Sequence, residues 1–257
     1  MSRFGNLEFS SEFEDLSRAD SELKDESHYF AEATRALEDG RFEHGLRLYA
    51  KVLEFNPQNC AAWTGQVRML IELGEFHEAR VWADKALERF PNDPELLAAK
   101  AVALGRVGDL QAALAFSDAS IEERGDTPYI WLARGDVLMA RQEKRADYCF
   151  EKAQLLAPND WFVRWLASRI HYYYKKFALA LKLAQNALAL DSVRSVVWLQ
   201  LGKCQHALGI TNAAQTSYEQ AAQLDPNCRE AQEMLVALQH TGFLASVGAA
   251  FRGLFAR

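Results

Sequence analysis

The sequence predicts an all-α chain: a right-handed α-solenoid of about six helix-turn-helix units, closed by a capping helix and an extra amphipathic tail helix. Three observations predict it. Residues 195–228 form a 34-residue stretch in which Trp198, Leu201, Gly202, Ala214, Tyr218, Ala221 and Pro226 follow the spacing W-x2-L-G, then Ala, Tyr, Ala and Pro. The stretch reads as two amphipathic helical runs joined at Gly209, and one such unit cannot bury its own apolar face. Copies of the pattern run in phase through the preceding chain, with a small residue at two fixed positions in nearly every copy.

The elements follow in order. Residues 1–25 are an acidic segment expected to be disordered, with Glu8, Glu12, Glu14, Asp15, Asp20, Glu22 and Asp25 outweighing Arg3, Arg18 and Lys24. Its interspersed Phe4, Leu7, Phe9, Phe13 and Leu16 also suit a linear motif that docks into a groove. The units are expected at 26–59, 60–93, 94–127, 128–160, 161–194 and 195–228, and the fourth is one residue short, in the RQEKR turn. The eighth position reads Ala33, Val67, Ala101, Gly135, Ser168 and Gly202, and the twentieth reads Gly45, Ala79, Ala113, Ala146, Ala180 and Ala214. Larger side chains at a helix crossing force the pair apart, so these positions mark where helices meet. The fifth unit departs most: Arg164 takes the aromatic fourth position, Trp161 and Trp165 flank it, and an aromatic, basic run follows at 171–177. Residues 229–242 read as a capping helix stopped by Gly242.

The tail, 243–257, places Phe243, Leu244, Val247, Phe251, Leu254 and Phe255 within an arc of roughly 120° at ~100° per residue. It carries two arginines and no acid. A lone helix of this length is marginal in water, so it needs a surface: the array itself, a partner, or a membrane interface.

Composition narrows the function classes. The chain is 257 residues long, 49% hydrophobic, with a formal net charge of -6 that argues against bulk attraction to nucleic acid. Its four cysteines lack C-x2-C spacing, which makes a zinc cluster unexpected and reduced thiols the plain reading. The N-terminus has no apolar core of a secretory signal, and no run reaches the ~20 apolar residues of a spanning helix. A cytoplasmic protein is expected, peripheral to a membrane only through the tail. No H-E-x2-H, G-x-S-x-G, phosphate loop or EF-hand loop is present, so neither catalysis, cofactor nor metal is expected.

Over residues 26–228 the chain resembles the tetratricopeptide repeat (TPR) family. The resemblance implies a non-enzymatic protein-protein interaction scaffold whose first helices line a concave groove. By the same resemblance, groove-facing positions two, five, nine, twelve and thirteen give Arg68, Arg106, Tyr129, Asp136, Phe162, Trp165, Arg169, Tyr172, Tyr173, Lys203 and His206 as the candidate peptide-binding set. Arginine and aromatic side chains most often dominate interface energetics. A wall of them suits a protein or peptide with acidic and apolar residues. The family's clamp for a chaperone's terminal carboxylate is absent, because those positions read Phe30, Thr34, Gly65, Glu95 and Ala99. The acidic N-terminal segment complements the basic groove and is a candidate occupant of it, in cis or through self-association. The alternative function is a peripheral membrane adaptor anchored by the tail.

Overall fold

In the computed structural model the chain is all-α, and residues 25–123 and 125–238 are described. The predicted tail, with Phe243, Leu244, Val247, Phe251, Leu254 and Phe255, and the acidic segment up to Lys24 lie outside the described residues. The chain divides into two units, Met1–Pro158 and Asn159–Arg257.

The first unit holds four antiparallel helix pairs: α1 (Glu26–Glu38) with α2 (Phe42–Phe55), α3 (Cys60–Glu72) with α4 (Phe76–Arg89), α5 (Pro94–Val107) with α6 (Leu110–Glu122), and α7 (Pro128–Ala140) with α8 (Ala146–Leu156). The second holds α9 (Trp161–Tyr173) with α10 (Phe177–Leu190), α11 (Ser195–Ala207) with α12 (Thr211–Leu224), and α13 over residues 229–238. Among the described residues there is no strand, and no helix is long and apolar enough to cross a membrane.

Local chemistry sets the helix ends. Asp25, Asn59, Asp93, Thr127 and Asp160 each accept a backbone N–H from the first turn of the odd-numbered helix that follows. Pro94 and Pro128 open α5 and α7, where a missing N–H costs nothing. The turn inside each pair is a Schellman motif. In the first, Gly40 N–H donates to Leu37 O and Arg41 N–H to Ala36 O. The motif requires one left-handed residue, and four turns use glycine: Gly40, Gly74, Gly108 and Gly209. The turns before α8 and α10 use Gln142 (φ 59°) and Lys175 (φ 58°) instead.

The small residues sit where helices meet. A Cβ on Gly202 would lie 2.6 Å from Tyr218 Cε1, and one on Gly135 would lie 2.8 Å from Phe150 Cζ. Where the eighth position is larger, the facing helix is trimmed. Val67 shares its pair with Ala83, and both are fully buried. Ser168 shares its pair with Ala184 and donates its Oγ–H to Ala180 O at 2.8 Å. In these two pairs a larger residue on one helix is matched by a smaller one on the other.

The cores are local. Ala98, Val102, Ile130 and Ala133 form one cluster in the first unit, with Ile71, Ile121 and Tyr129 packed against it. In the second, Ala214, Tyr218 and Leu238 form another, against which Leu199, Met234 and Leu235 pack, so α13 covers the last helix pair.

Candidate partner-binding face

The fourth position ties four of the first helices to the residues just before them. Trp63 Nε1–H donates to Pro57 O at 3.0 Å and Trp198 Nε1–H to Ser192 O at 2.8 Å, tying each helix to the loop before it. Trp131 makes the same kind of tie to the carboxylate of Asp126 at 2.7 Å. At this position in α9, Arg164 Nη1 donates to Asp160 O at 3.1 Å. The guanidinium thus supplies the N–H that the indole supplies elsewhere, and the departure in sequence preserves the tie.

In the first unit the groove-facing candidates engage one another. Arg68 Cζ stands 3.9 Å above the ring centroid of Tyr129, although the whole α5–α6 pair lies between them in sequence. Ala98 and Val102 of α5, packed with the Tyr129 ring, are small enough to leave that room. Burial pushes the Tyr129 hydroxyl pKa up, and Glu95, Glu72 and Asp136 add to the rise that Arg68 opposes. Arg106 and Asp136 form a two-pronged ion pair: Nε to Oδ1 at 2.9 Å and Nη2 to Oδ2 at 2.6 Å. Their side chains are 7% and 5% exposed. Arg68, Arg106, Tyr129 and Asp136 therefore brace α3, α5 and α7.

The second unit differs. Trp165, read from sequence as a groove anchor, is 1% exposed and donates its Nε1–H to Val196 O at 3.1 Å. It is held between α9 and the start of α11 by that bond. Phe162 packs on it with centroids 5.3 Å apart. Ser168, Gln200 and Cys204 form a buried polar cluster beside them, in which Gln200 Nε2 donates to Ser168 Oγ at 3.2 Å. Of the remaining candidates, Tyr173 is exposed and Arg169, Tyr172, Lys203 and His206 are half-buried. Arg169 Cζ is 5.1 Å from the Trp165 ring centroid. Lys203 Nζ is 5.7 Å from the Tyr172 ring and 2.6 Å from Glu230 Oε1. Tyr173 is 46% exposed. His206 stands edge-on to Tyr218 at 6.4 Å. Burial raises the Tyr172 pKa, with Cys204 and Glu230 adding to the rise.

Sequence reasoning missed Glu230. It stands at the second position of α13 when the 34-residue count is carried one unit further, so the signal was available. The Arg164 tie had no such signal, because nothing in a helical period says that arginine replaces an indole donor.

The fold has known relatives. Tetratricopeptide repeat models match residues 36–103 and 196–228. The BBSome complex member BBS4 of Bos taurus is 22% identical over 187 residues, which are 72% of this chain and 36% of that protein. The chain thus spans about a third of the length of this relative. A tetratricopeptide repeat protein from Parabacteroides merdae aligns with a TM-score of 0.54 at 16% identity, over 85% of this chain and 86% of its own. The APC/C hetero-tetramer Cut9-Hcn1 aligns with a TM-score of 0.50 at 16% identity, over 84% of this chain and 43% of the matched one. At such identities the structures establish the fold alone. Together with the two repeat matches, they support a tetratricopeptide repeat helical scaffold.

Proposed function

We propose that this scaffold holds a partner segment on the α9–α11–α13 face of its second unit, and that the segment carries acidic and apolar residues. One observation carries the reading. In the first unit the groove cations are taken up internally, by the Tyr129 ring and by buried Asp136. In the second, Arg169 and Lys203 stand beside aromatic rings, and Tyr173 is exposed.

The chemistry fits an acidic ligand. The Lys203–Glu230 pair is partly open, with side chains 22% and 50% exposed, and a pair of that kind contributes little to stability. A partner carboxylate exchanges with Glu230 at small cost. Tyr173 offers rigid contact area with a hydroxyl at its tip, suited to an apolar side chain next to a polar group. Asp or Glu near a Phe, Leu or Met meets both demands.

A displayed peptide library selected against the full chain tests this. Enriched peptides should combine acidic and large apolar residues, and the enrichment should be lost with Tyr173→Ala and Lys203→Glu. Enrichment of basic peptides, or enrichment indifferent to both variants, would refute the reading.

A further inference from the structure

The outer side of α2 carries a pattern that the binding face does not use. His44, Arg47, Lys51 and Phe55 are all exposed, and at ~100° per residue they fall within an arc of roughly 80°. They form a basic stripe ending in an aromatic ring that is 56% exposed. That ring stacks on Tyr29, with centroids 5.7 Å apart and planes 26° apart. Tyr29 lies in the first turn of α1, just after the Asp25 cap. Asp25, the first described residue, therefore stands near the Phe55 end of the stripe.

The chain before Asp25 has the complementary composition. Residues 1–24 carry Glu8, Glu12, Glu14, Asp15, Asp20 and Glu22 against Arg3, Arg18 and Lys24. Phe4, Phe9 and Phe13 are spaced among the acids. Length is no obstacle. Phe55 to His44 covers about 16 Å of helix at ~1.5 Å per residue, and the 24 residues preceding Asp25 extend several times further at ~3.3 Å each. Lys51 is held by Glu54 at 2.6 Å, an exposed pair that another carboxylate replaces at little cost. The groove of the same unit is a poorer match than its sequence suggests, because Arg106 is bound to Asp136 and Arg68 lies on Tyr129.

We propose that residues 1–24 dock in cis along the outer stripe of α2, with acidic side chains against His44, Arg47 and Lys51 and a phenylalanine against Phe55. The proposal is independent of the partner face on the second unit. It makes the first helix pair an interaction surface for the chain's own segment, released by salt or by a competing acidic peptide.

Hydrogen-deuterium exchange on the full chain tests it. Peptides from residues 1–24 should exchange at least ~10-fold slower than the same peptides free in solution, in a species with the mass of a monomer. Arg47→Glu with Lys51→Glu should abolish that protection without lowering the thermal midpoint. Glu12→Lys with Glu14→Lys and Asp15→Lys should abolish it equally. Combining the two sets should restore it, which a merely misfolded variant would not do. Exchange at the free rate in the wild type would overturn the proposal, as would protection that survives Arg47→Glu with Lys51→Glu. Protection found only in a dimeric species would overturn docking in cis and assign the stripe to a second copy.

Discussion

At the scale of single residues, burial separates the side chains that hold the fold from those available to a partner. Trp165 and Tyr173 were both legible in sequence as groove aromatics, yet Trp165 is 1% exposed and Tyr173 is 46% exposed. Sequence period gives the helix face but not how deep a neighbouring helix lets a ring sink. Here the start of α11 closes on the ring, where Val196 O accepts its Nε1–H. Trp165→Ala should therefore cost about 3–5 kcal/mol of stability through the cavity it leaves. Tyr173→Ala should leave urea unfolding nearly unchanged. Equal effects of the two would show that the α9 rotation is misjudged. At Gly202 a Cβ meets Tyr218 at 2.6 Å, so Gly202→Leu should overpack the α11–α12 crossing and cost on the order of 1–3 kcal/mol. A loss below a few tenths of a kcal/mol would place that crossing elsewhere. Asp136→Ala strands the Arg106 guanidinium in a buried site and should cost about 3–5 kcal/mol. Arg106→Met with Asp136→Leu should cost less than that single change, as measured by the same unfolding curves.

At the scale of elements, the repeat was readable because its punctuation is physical. The left-handed turn residue, the small crossing residues and the N-cap before each odd-numbered helix from α1 to α9 recur in phase. Two turns break the glycine rule. Gln142 and Lys175 adopt φ near +60°, which for a residue with a Cβ is disfavoured by about 1–2 kcal/mol. Part of that gain is offset by the greater chain entropy of glycine when unfolded. Lys175→Gly should still raise stability, by about 0.5–1 kcal/mol, read as a higher urea midpoint with an unchanged slope. A lower midpoint would mean that the lysine side chain contributes more than its backbone costs. The site was less legible than the fold for a related reason. A repeat specifies which positions face inward, but whether an inward cation meets a carboxylate of the same chain depends on residues nearly one repeat away. Arg106 with Asp136 and Lys203 with Glu230 are both of this kind.

At the scale of the whole molecule, the same burial that excludes water from the helix pairs suppresses ionisation. Burial pushes the Cys60 thiol up to about 12, helped by Asp93, and the Cys204 thiol up to about 11. Burial likewise raises the hydroxyls of Tyr49, Tyr129, Tyr172 and Tyr218 above their usual 10.0. In the unfolded chain these groups lose their protons at ordinary values, starting near 9.0 for the thiols. The folded state then holds more protons than the unfolded one, and stability falls as pH rises. Their contribution is complete below pH ~9 and declines through the folded-state values. Urea midpoints should thus be lower at pH 10.5 than at pH 8, and a flat profile would contradict the buried placement of these groups. Thiol alkylation at pH 8 should be slow at Cys204, which is fully buried, and should accelerate in denaturant.

The central claim is that one scaffold uses like residue types in two ways, internally in the first unit and for a partner in the second. Titration calorimetry with one enriched acidic, apolar peptide tests it most directly. Wild type and Arg68→Ala should bind alike, while Lys203→Glu and Tyr173→Ala should each weaken binding at least ~10-fold, or about 1.4 kcal/mol. Binding that is unchanged by Lys203→Glu and Tyr173→Ala but lost in Arg68→Ala would contradict the account and move the partner to the first unit.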